Sequence, residues 1–146
     1  MPTIFTIGYE GADPDRFLGT LQGAGVAVLA DVRAVALSRK RGFSKTALRE
    51  GLLASGVGYE HLIALGTPKA GREAARAGDA DMLRAVYEGQ LATPQAGEAL
   101  ERLAVLAGER PVCLMCFERD PALCHRRILA ERLRARGFAC VDLSVP

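Results

Sequence analysis

Two short apolar runs, VAVLADV at residues 26–32 and PVCLMC at residues 111–116, constrain the fold of this chain more than any other feature. A half-exposed strand alternates apolar and polar residues, whereas a run that is apolar at consecutive positions is covered on both faces, as in a parallel sheet between helices. The rest of the chain supplies the covering. Residues 3–8 (TIFTIG) read as a strand and residues 14–21 as a helix. Ser44 stands as N-cap of a helix carrying Leu48, Leu52 and Leu53, and Gly56 and Gly58 end it before a short strand at 59–62. Residues 79–91 and 93–107 have helical spacing, the second with Thr93 as N-cap and Pro94 at its first position. Asp120-Pro121 is expected to open a last helix that buries Ile128, Leu129 and Leu133 and stops at Gly137, before a closing strand at 138–143. Strands alternating with helices imply an α/β fold: a single three-layer domain over residues 1–146, with a mostly parallel sheet flanked by helices.

Composition agrees with one such domain. At 146 residues the chain can bury about two thirds of its unfolded surface. With 49% hydrophobic and 25% charged residues, and no low-complexity tract, disorder is not expected. The start MPTIFTIGYEG lacks the pattern of a signal peptide, and charges interrupt every apolar run well before the ~20 residues that span a bilayer. A cytoplasmic protein without a membrane partner is expected. The four cysteines sit in apolar or motif contexts rather than in a loop-rich scaffold, so they read as thiols.

A net charge of +2 does not by itself argue for nucleic acid, but the charge is unevenly placed. Residues 33–49 hold Arg33, Arg39, Lys40, Arg41, Lys45 and Arg49 and no acidic residue. In an open parallel sheet ligands bind beyond the carboxyl ends of the strands, where Gly8-Tyr9-Glu10-Gly11, Asp31 with Arg33 and the loop SRKRGFSK, and Cys116-Phe117-Glu118 would meet. The loop can grip phosphate through Arg39, Lys40 and Arg41, with Phe43 stacked on a base or packed inward; the alternative is a solvated basic loop. Asp31 ends an apolar strand and needs a partner if buried, for which an arginine is the natural candidate. His61 reads as a histidine packed beneath a glycine turn.

CLMC resembles a redox CxxC motif, yet Cys113 and Cys116 lie three apart in a strand and should face opposite sides of the sheet. Cys116 ends the strand where a helix N-terminus favours its thiolate and Glu118 opposes it; a plain buried core cysteine is the alternative. Cys116, Cys124 and His125, with Glu118 or His61, are of metal-ligand type. Their spacing matches no common zinc signature, and adjacent helical residues point about 100° apart, so no metal is expected, nor any cofactor. His125 and Arg126, in the first turns of the last helix, suit an anion, while Arg127, Arg132, Arg134 and Arg136 read as a solvated face.

TIGYEG (6–11), DVR (31–33), SRKRGFSK (38–45), YEHLIALG (59–66) and the set Cys116, Glu118, Cys124, His125 and Arg126 in CFERDPALCHR together resemble the family called domain of unknown function 488. The resemblance runs nearly the length of the chain. It implies a single three-layer α/β domain and locates a site without naming its reaction. DVR followed by a strand-end cysteine is also similar to the rhodanese sulfurtransferases, which would predict a persulfide on Cys116; Glu118 and the proline behind it depart from their sulfur-binding loop.

The leading expectation is an enzyme acting on a phosphate-bearing nucleotide or nucleic-acid substrate. Cys116, Glu118 and His125 would be its catalytic residues, and Tyr9, Asp31, Arg33, Arg39, Lys40, Arg41, Lys45 and Arg126 would bind the substrate. The rival expectation is a non-enzymatic nucleic-acid-binding module.

Overall fold

The computed structural model describes residues 2–146. Strands β1 (Thr3–Gly8), β2 (Val28–Asp31), β3 (Gly58–His61), β4 (Val112–Cys116) and β5 (Ala139–Leu143) form one sheet in the order β3-β2-β4-β1-β5, and every neighbouring pair is parallel. The helices are α1 (Pro14–Gly23), α2 (Lys45–Ala54), α3 (Lys69–Arg76), α4 (Ala80–Leu91), α5 (Pro94–Glu109) and α6 (His125–Ala135). Short 3-10 turns occupy Ile63–Leu65 and Pro121–Leu123.

The two apolar runs become the central strands. Every residue of β2 and of β4 is buried, which requires cover on both faces. On one face Val28, Ala30, Leu114 and Cys116 pack with Tyr87 of α4, Leu103 of α5 and Leu129 of α6. On the other, Leu29, Cys113 and Met115 pack with Phe17 of α1 and Leu52 of α2. Two cores separated by the sheet make the three layers. They also place Cys113 and Cys116 on opposite faces, as strand alternation requires.

Three local features depart from the sequence reading. Asp120 does not cap the last helix; its carboxylate accepts the Ala122 N–H of the 3-10 turn, and α6 begins five residues after it, at His125, with Cys124 as N-cap. Ser44 does take the N-cap position of α2, but its hydroxyl makes no cap bond: it accepts the Ser38 N–H and donates to the Ser38 carbonyl, bracing the basic loop. Helix α3 had no apolar stripe to announce it: KAGREAAR buries only Gly71 and Ala74.

Connectivity fixes where the loops open. The β1 and β2 connections lead to α1 and α2 on one face, whereas β4, which lies between those strands, leads to α6 on the other. Loops leaving neighbouring strands toward opposite faces part from each other, and the crevice between them is where open α/β sheets bind ligands. Here that crevice lies beyond Cys116.

Candidate functional site

A cavity of about 340 Å³ opens at this place, walled by the loops after β1, β2 and β4 and by the segment from Thr67 through α3. Its volume falls in the ordinary range for small-ligand sites.

One wall is built on Asp31, which is fully buried at the end of β2. Its Oδ1 accepts from Arg33 Nε at 2.8 Å, and its Oδ2 accepts from Arg33 Nη2 at 2.7 Å and from the Tyr59 hydroxyl at 2.6 Å. The remaining Arg33 nitrogen, Nη1, donates to the Phe43 carbonyl at 2.6 Å and to the Tyr9 hydroxyl at 3.2 Å. Burial works against the charge of Arg33, yet Asp31 outweighs it and raises the pKa. Burial and the same carboxylate raise that of Tyr59. Phe43 packs inward with its ring stacked on Tyr9 at 4.6 Å, so the DVR motif and the basic loop form one braced unit. Arg33 reaches the cavity as a neutralised ion pair.

The opposite wall is built on Arg126, whose side chain is also fully buried. Its Nη1 donates to Cys116 Sγ at 3.1 Å and to the Glu118 carbonyl, Nη2 donates to the Arg119 carbonyl at 3.2 Å, and Nε donates to the Thr6 hydroxyl at 3.3 Å. Arg126 therefore ties the turn after β4 to β1 and does not line the cavity. β1 presses on the same turn: a Cβ at Gly8 would stand 1.8 Å from the Glu118 carbonyl oxygen, so only glycine lets the two segments meet.

The sequence reading took the cysteines as thiols, but Cys116 and Cys124 are joined in a disulfide; Cys113 and Cys140 are free. His125 follows with Nε2 at 2.7 Å from the Val32 carbonyl and Nδ1 at 3.7 Å from Cys124 Sγ. Because a carbonyl only accepts, Nε2 carries the proton and Nδ1 holds a lone pair. Burial pulls the His125 pKa down to about 4, so the ring is neutral at pH 7. Cys116, Glu118 and His125 all reach the cavity wall. Burial raises the pKa of Glu118 against the pull of Arg126, favouring its protonated form.

Of the residues singled out from sequence, Tyr9, Arg33, Arg39, Cys116, Glu118 and His125 line the cavity. Asp31 lies behind Arg33, while Lys40, Arg41 and Lys45 stand outside. The sequence reading missed Thr67, Arg72 and Arg76, all on the cavity wall. Thr67 is buried with a hydroxyl that finds no hydrogen-bond partner, and Arg72 Nη1 donates to the Thr67 carbonyl at 3.0 Å. Gly71 makes room for that hydroxyl, since a Cβ there would lie 2.1 Å from Thr67 Oγ1. Among the described residues no carboxylate ion-pairs with Arg39, Arg72 or Arg76.

The family model described as Domain of unknown function DUF488 matches residues 13–133. The chain belongs to this family. Its matched span takes in β2 to β4, α1 to α5, all but the last two residues of α6, and every cavity-lining residue except Tyr9. No curated protein and no solved structure matches this DUF488 chain.

Proposed function

We propose that this DUF488 protein is an enzyme acting on a phosphate-bearing substrate held in the cavity at the end of β4. The observation that carries this reading is that Arg39 from the loop after β2 and Arg72 and Arg76 from α3 all line one cavity, with no carboxylate ion-paired to any of them among the described residues. Guanidinium groups bind phosphate through parallel N–H donors in a fixed fork. Glu118 across the cavity is the proton carrier, because its raised pKa brings it nearer to working pH. Cys116 is no nucleophile while joined to Cys124; with His125 it forms the wall beside Glu118. Arg33 and Arg126 hold the site's shape rather than the substrate.

A polynucleotide end is favoured over a free nucleotide by the exposed Arg41, Lys45 and Arg49, which follow Arg39 along the chain with no acidic residue between them. Phosphorus NMR of the protein with nucleoside mono-, di- and triphosphates and with a 5′-phosphorylated oligonucleotide tests the proposal. One class should be turned over, and Glu118→Gln should slow that reaction by about 100-fold or more while leaving binding intact. A panel neither bound nor consumed would refute the reading; binding without turnover would leave a binding module in its place.

A further inference from the structure

Cys116, Cys124 and His125 each bring one donor atom to the same buried spot, and the three atoms lie within 4.8 Å of one another. Two adjacent helical residues would point their side chains apart, but Cys124 and His125 do not both sit on a helix. Cys124 is instead the N-cap, with extended backbone at φ −129° and ψ 144°, so its sulfur folds back beside the His125 ring. The ring is oriented as in metal sites, where histidine donates one N–H to a backbone carbonyl and offers the other nitrogen: Nε2–H goes to Val32 and Nδ1 faces the sulfurs. Each sulfur also receives an N–H donor, Arg126 Nη1 at 3.1 Å for Cys116 and the Arg126 amide at 3.5 Å for Cys124, contacts that stabilise thiolate.

We infer that, with the Cys116–Cys124 disulfide reduced, Cys116, Cys124 and His125 form a binding site for a zinc-class divalent ion. Two thiolates and a neutral imidazole are a donor set suited to zinc and poorly suited to magnesium or calcium. Three protein ligands leave the fourth tetrahedral position open, and Cys116 and His125 both border the cavity, with Glu118 Oε2 3.6 Å from Cys116 Sγ. A water, Glu118 or a bound anion can fill that position.

Reduction by an external dithiol breaks the Cys116–Cys124 bond and forms one disulfide in the reductant, with two electrons and two protons passing to the protein. Zinc binding then releases two protons as both thiols become thiolates. The sulfurs must part to about 3.8 Å, the span of two ~2.3 Å zinc–sulfur bonds at a tetrahedral angle. Only the reduced chain therefore offers the site.

The test needs no substrate. The full chain is reduced, freed of metal, and titrated anaerobically with cobalt(II). One equivalent should produce sulfur-to-cobalt charge-transfer absorption and the intense visible bands of tetrahedral cobalt, which zinc then bleaches. Cys124→Ser and His125→Gln should each weaken binding at least tenfold, Cys140→Ser should not, and the oxidised protein should bind none. Should the variants fail to fold, alkylation of the wild-type protein decides: zinc should slow modification of Cys116 and Cys124 at least tenfold and leave Cys140 unchanged. Absence of these bands in the reduced protein, their survival in both folded variants, or equal protection of all cysteines would overturn the inference. Phosphate binding by the oxidised protein is measured separately, so either proposal can fail alone.

Discussion

Replacing Asp31 with asparagine isolates the charge that holds the β2 wall of the cavity together. The two side chains have nearly the same shape, so the core around position 31 need not repack. What changes is the counter-ion of Arg33: Asp31 accepts from Nε and Nη2 of that guanidinium at 2.8 and 2.7 Å, and from the Arg33 amide and the Tyr59 hydroxyl. An asparagine NH₂ group must face at least one of these donors. The amide oxygen can still accept on one side, but Arg33 loses its counter-charge and is otherwise left with the Tyr9 hydroxyl and the Phe43 carbonyl, in a site that leaves it 6% exposed. Stranding one partner of a buried pair costs about 3–5 kcal/mol. At roughly 2–4 °C per kcal/mol for a chain of this size, the melting temperature should fall by about 6–20 °C. Urea unfolding of the oxidised protein gives the loss directly, provided the dependence on urea keeps its slope. The double variant Asp31→Leu with Arg33→Met removes both charges and should recover most of that loss. A loss below about 1 kcal/mol in Asp31→Asn would mean that water reaches Arg33 and that the pair does not brace the site.

Gly8→Ala should destabilise the protein by several kcal/mol or prevent folding, because its Cβ would meet the Glu118 carbonyl at 1.8 Å with backbone on both sides; expression yield and thermal melting report it. Tyr87→Phe leaves the Leu65 carbonyl without the 2.7 Å hydroxyl donor it has now, and should cost about 1–3 kcal/mol in chemical unfolding. Burial raises the pKa of both Tyr59 and Tyr87, the former also through Asp31. A folded pKa above the unfolded value of about 10 stabilises the native state below that pH, and the benefit is lost as pH rises beyond it. Ultraviolet titration should accordingly show these two tyrosines ionising together with alkaline unfolding; their ionisation in a chain still folded by circular dichroism would contradict the burial.

Strands β2 and β4 were legible because burial on both faces writes itself as unbroken apolar sequence. Polar loops following such strands located the rim as well. Helix α3 was not legible, since a helix burying only Gly71 and Ala74 has no stripe to recognise, and Thr67, Arg72 and Arg76 were missed with it. Asp120-Pro121 gave a strong start signal, but that signal serves the 3-10 turn before α6, which put Cys124 and His125 in the wrong backbone frame. Arg126 read as an anion binder from its place near a helix start. Its partners Thr6, Glu118 and Arg119 come together only when β1 and β4 pair, and local sequence carries no trace of that pairing.

A phosphate seat in the cavity underlies the proposed activity. Calorimetric titration of inorganic pyrophosphate into the oxidised protein at low ionic strength tests this directly, alongside the Arg72→Ala, Arg76→Ala double variant checked for folding by circular dichroism. The account predicts binding of one equivalent, weakened by added salt and reduced at least tenfold in the variant, a loss of about 1.4 kcal/mol or more. No binding, or equal affinity in wild type and variant, would contradict it.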